Sequence, residues 1–116
     1  MSLQGRLVSP AGQRIEQLER DLGLDDEELA TVLGLDVRNV QRWRQGVLEP
    51  SAGSKEMIHH LARLRDELFA TFRPAEALVW LRTANPDLGG RTPADAIVAR
   101  HLVSVETALD ALNAYV

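Results

Sequence analysis

The order Ala30, Gly34, Leu35, Val40, Trp43 restricts this chain more than any other feature of its sequence. Two short helices that cross closely need a small residue on the first rod, a turn residue that tolerates a left-handed backbone, and apolar residues that lock the second rod. Ala30 supplies the small residue, Gly34 the turn and Leu35 the apolar turn position, while Val40 and Trp43 face inward from the second rod. The pattern predicts a helix-turn-helix.

Apolar periodicity extends the helical reading along the chain. Ile15, Leu18 and Leu22 mark a first helix closed by Gly23, and the carboxylates Asp25 to Glu28 favour the positive end of a second one, which ends at Leu33. Asp36 caps the third helix, which Gly46 closes. Met57, Leu61, Leu64, Leu68 and Phe72 form the stripe of a long fourth helix from about Ser54. Pro74 opens another, with Leu78 and Leu81 directed inward. Thr92-Pro93 has the order of an N-cap and first helical residue. Ser104 is the expected cap of a last helix carrying Val105, Leu109, Leu112 and Val116. Three short helices after Pro74 cannot bury a core alone. The expected fold is all-α: a flexible arm over residues 1–10, a helix-turn-helix bundle over 11–71 and a small three-helix module over 72–116, packed as one unit.

Composition narrows the functional classes. The chain has 116 residues, no cysteine and a net charge of −4. Absent thiols remove disulfides and thiolate-ligated zinc and suit a cytoplasmic setting. No apolar run reaches membrane-spanning length. The acidic balance argues against coating nucleic acid by bulk charge, so any DNA contact must come from a local patch. Arg38, Arg42 and Arg44 supply one. With Val37, Val40 and Trp43 inward, helical geometry turns Arg38, Gln41, Arg42 and Gln45 outward, where arginine reads guanine and glutamine reads adenine in the major groove. Asn39 and Arg44 on the flanks suit phosphate contacts.

The second half carries Trp80, Asn85-Pro86, Leu88-Gly89-Gly90 and Pro93-Ala94-Asp95 in that order. Together with the upstream helix-turn-helix, this resembles the Xre/MbcA/ParS-like antitoxins over about residues 11–116. The resemblance implies a cytoplasmic, dimeric antitoxin that binds a RES-domain, NAD-consuming toxin and represses its own operon by binding double-stranded operator DNA. It places Trp80, Asn85, Pro86, Leu88, Gly89, Gly90 and Pro93 in the toxin-binding motif, and Tyr115 and Val116 in a C-terminal tail pressed into the toxin. The chain departs from the family pattern at Asn113-Ala114, where a glycine is common, and by lacking a glycine near Arg100-His101.

No catalytic constellation is expected. Glu56, His59 and His60 share a helix, but a helical carboxylate metal site needs this spacing twice. Gly89-Gly90 has neither the preceding strand nor the following lysine of a phosphate loop. Neither cofactor nor metal is implied. Two other readings remain open: a solitary regulator whose second half serves dimerisation, and an adaptor that has lost DNA binding.

Overall fold

Each helix begins where its sequence supplies a start signal. The computed structural model describes residues 10–47 and 50–114, and every regular element among them is helical. The α-helices are α1 (Pro10–Leu22), α2 (Asp26–Leu33), α3 (Val37–Arg44), α4 (Ala52–Thr71), α5 (Pro74–Leu81), α6 (Pro93–Val98) and α7 (Leu102–Asn113), with a 3-10 turn at Pro86–Leu88. Asp25 forms a reciprocal cap on α2: its carboxylate accepts from the Glu28 N–H at 2.7 Å, and its own N–H donates to Glu28 Oε1 at 3.1 Å. The carboxylate of Asp36 caps α3, and the hydroxyls of Ser51 and Thr92 cap α4 and α6. Pro74 and Pro93 occupy first-turn positions, where a missing N–H costs nothing.

One continuous core unites the helices. Ile15, Leu18 and Leu22 from α1 meet Leu29 and Val32 from α2, Val40 and Trp43 from α3, and Leu61, Leu64 and Leu68 from α4. Ala77, Leu81, Ala96, Ile97, Val105 and Leu109 of the second half belong to the same cluster. Accordingly α1 packs on α3, α4 and α5, α2 on α3 and α6, and α4 on α7. The second half therefore fills the core of the helix-turn-helix.

Several side chains sit differently from the periodicity reading. Ile58 is buried while Met57 is half-buried, so the α4 stripe is rotated at its start toward Ser54. Leu78 is 38% exposed, because Ala77 and Leu81 are the residues that α5 buries. The last helix starts at Leu102 instead of after Ser104, with no side-chain cap. Leu102 and Ala108 join Val105 and Leu109 in its buried face, and Leu112 is 38% exposed. Of the expected arm, residues 1–9 lie outside the described residues, and Pro10 already belongs to α1.

Candidate nucleic-acid interface and partner module

Val40 and Trp43 are buried, and this fixes the rotation of α3. Arg38, Gln41, Arg42 and Gln45 stand exposed on the opposite side, as expected of a reading face, and Asn39 is half-buried. The face is lightly braced. Arg42 Nη1 lies 3.4 Å from Asn39 Oδ1, and Arg38 Nε approaches the Asp36 carboxylate at 3.5 Å.

Arg44 departs from the sequence expectation. It does not lie free on the flank for phosphate but turns back into the protein, where its guanidinium pairs with Glu19 of α1 and with Asp26 of α2 at 2.6 Å. Glu16 lies 3.6 Å away. The cluster clamps the end of α3 to both preceding helices. Glu19 Oε2 is buried and receives no hydrogen bond, and burial together with the adjoining Asp26 pushes the Glu19 carboxyl up to about 8. The neighbouring Glu19 side chain, with Arg44, holds Asp26 below the usual carboxylate range. Sequence reasoning missed this cluster, although Glu16 and Glu19 share one face of α1 and Asp26 opens α2.

The start of α2 gives the reading face an acidic lip. Asp25, Asp26 and Glu27 line a groove of about 530 Å³ with Glu19, Leu24, Val37 and Gln41. A helix-turn-helix commonly offers backbone N–H groups and cations to the phosphates near this position. Here carboxylates occupy it, so Arg38 and Arg42 carry the positive charge of the face.

In the second half the motif residues build a turn. Asn85 accepts from the Asp87 N–H at 2.8 Å through its side chain, while its carbonyl accepts from Leu88 and Gly90 and its N–H donates to Arg91. Gly89 and Gly90 have φ of 70° and 86°, Leu88 and Pro93 are buried, and Pro86 is exposed. Trp80 is half-buried against Phe72, with ring centroids 5.7 Å apart. These residues are therefore committed chiefly to local geometry and packing. Tyr115 and Val116 lie outside the described residues.

The missing glycine near Arg100-His101 has a structural counterpart. At the end of α6 the His101 N–H bonds the Ala96 carbonyl and the Arg100 N–H bonds that of Ile97, both at 2.8 Å. This double closure places Arg100 at φ 68°, a left-handed conformation. The end of α2 closes in the same way, with Leu35 bonded to Ala30 and Gly34 at φ 69°. Arginine pays a steric cost there of roughly 1–2 kcal/mol, against roughly 0.5–1 kcal/mol of extra chain entropy for glycine. Arg100→Gly is therefore expected to raise the melting temperature by a few degrees, and Gly34→Ala to lower it, in a thermal unfolding scan. A lower melting temperature for Arg100→Gly would show that its side chain, which lies beside Gly34, outweighs the strain.

A further tie joins the halves. Arg82, one residue past α5, forks onto Glu28 at 3.0 and 3.2 Å and also donates to the Gly23 carbonyl. No group of His, Asp or Glu among the described residues is arranged to hold a metal ion, and no helix among them is long and apolar enough to cross a membrane.

Comparison with known proteins matches residues 67–114 to the family model described as the antitoxin Xre/MbcA/ParS C-terminal toxin-binding domain. The chain is 31% identical over 106 residues to the mycobacterial cidal antitoxin MbcA of Mycobacterium bovis, a match covering 91% of this chain and 90% of the relative. MbcA of Mycobacterium tuberculosis H37Rv matches equally, at 31% identity over 106 residues. Among solved structures, the M. tuberculosis MbcT-MbcA toxin-antitoxin complex contains a chain that superposes with a TM-score of 0.68 at 28% identity, covering 94% of this chain and 98% of that one.

Proposed function

The chain belongs to the Xre/MbcA/ParS antitoxin family, a family of regulators and not of enzymes, and on that footing we propose that it neutralises a toxin by binding it through the half that follows α4. The toxin is a RES-domain, NAD-consuming enzyme, and the antitoxin shields its active site. As a homodimer in the cytoplasm, the antitoxin also represses its own operon through α3, with Arg38 and Arg42 as the principal readers, Gln41 and Gln45 beside them and Asn39 bracing Arg42. The observation that carries this reading is the match to MbcA, which spans both halves of the chain rather than the helix-turn-helix alone.

Co-expression tests it. The RES-domain toxin encoded beside this chain should deplete cellular NAD and arrest growth when expressed alone. Adding the full chain should restore both, and the two proteins should co-purify. Unchanged NAD depletion in the presence of soluble full chain would overturn the proposal. A second reading, in which the helix-turn-helix serves only as scaffold, draws support from the acidic lip of α2 and the inward Arg44. It separates from the first by the absence of salt-sensitive binding to the operon's promoter.

A further inference from the structure

We infer that the outer face of α5, formed by Ala75, Leu78 and Val79, is the surface that the toxin covers, an inference that rests on the toxin-binding reading above. α5 is apolar apart from Glu76. Its inner face buries Ala77 and Leu81 and half-buries Trp80, while Leu78 is 38% and Val79 68% exposed on the outer face beside exposed Ala75. The one charged side chain of α5, Glu76, is occupied at 3.0 Å by the Arg73 N–H. A helix this apolar favours an interior, and although Leu78 packs in part against Gly23, Val79 and Ala75 are left to solvent among the described residues.

Ala75, Leu78 and Val79 stand at the spacing with which an amphipathic helix anchors itself in an apolar groove. The next position along that stripe is Arg82, held by its fork onto Glu28, so the helix is presented on a fixed mount. The partner this fits is a protein with an apolar groove wide enough for one helix.

The occupant is the toxin because the whole of α5 lies inside residues 67–114, the segment matched to a toxin-binding domain. The loop motif of that segment is largely spent on its own turn, which leaves exposed side chains to make the contact. Val103 on α7 is the other strongly exposed valine of the segment, at 66%. It sits in a groove lined by Glu67, Glu106 and Asp110, where an apolar partner would have to desolvate three carboxylates. Beside Val79 the one carboxylate of α5 is Glu76, which is held by the Arg73 N–H.

The test compares Val79→Lys with Val103→Lys, the same change at equal exposure, in the full chain against the purified RES-domain toxin encoded beside it. Both variants should keep the wild-type melting temperature. The Kd for the toxin, read by calorimetry, should rise about 100-fold for Val79→Lys and less than about threefold for Val103→Lys, as expected for an anchor and a non-contact residue. Val79→Lys binding within threefold of wild type, or an equal loss from Val103→Lys, would overturn the inference while leaving the antitoxin reading intact. Wild-type chain that fails to bind would instead overturn that reading. A change in the mass of the free chain on Val79→Lys, with toxin affinity unaltered, would assign the face to a second copy. Tighter toxin binding by Val79→Lys would assign it to residues 1–9 of the same chain. Either result overturns the inference.

Discussion

Replacing Arg38 and Arg42 together by alanine is expected to weaken binding to the operon's promoter by about 100-fold or more, because each bidentate arginine contact to a base is worth roughly 1–3 kcal/mol. Few cations back them up. Arg44 is paired within the protein, and the α2 lip bears carboxylates. Both arginines are exposed and the buried residues of α3 are untouched, so the double variant should melt with the wild type. The salt dependence separates the two contributions: an arginine that contacts phosphate takes about one unit off the slope of log affinity against log salt when removed, and one that reads a base takes little. Gel-shift titrations at two ionic strengths make the measurement. Affinity within threefold of wild type would leave α3 as scaffold and favour the reading in which the helix-turn-helix binds no DNA.

Raising the pH from 5.5 to 8.5 is expected to destabilise the fold by an amount on the order of 1–3 kcal/mol. Glu19 is pushed up to about 8 from an ordinary carboxylate value of 4.5. Between those values the unfolded chain has released this proton while the folded protein still holds it, so stability falls as pH rises. That contribution is complete below 4.5 and is lost through about 8. Asp26, shifted downward, works oppositely and loses its contribution only in stronger acid. Glu19→Gln removes the titration. Its amide can donate to Asp26 permanently while its carbonyl still accepts from Arg44. The variant should melt a few degrees higher than wild type at pH 8.5 and show a flatter melting temperature between the two pH values. An unchanged slope would mean that Glu19 does not titrate in this range.

What could be read in advance follows from which interactions are local. Caps at Asp36 and Thr92, the turn at Gly34 and the inward Trp43 each depend on a few neighbouring residues, and each took its expected place, while Asp25, expected in the first turn of α2, caps it instead. Arg44 was misplaced because its partners come from α1 and α2, and a helical wheel for α3 alone contains no information about them. Leu78 was misplaced for a related reason. In a helix whose one charge is Glu76 periodicity says little about which face is inner, and packing against α1 chose Ala77 and Leu81. Ser104 lost its capping role because the double closure at Arg100 carries the chain into α7 three residues early. The loop motif was legible as a signature, but its residues are mostly architectural, so the motif locates the module better than it locates the contacts.

The common core of the two halves has a consequence for turnover. Because Leu81, Ile97 and Leu109 complete the interior against which α1 and α2 pack, and because Arg82 is fastened to Glu28, a nick between α4 and α6 is expected to unfold both halves together. Release of the promoter and release of the toxin would then follow from one cut, on one clock.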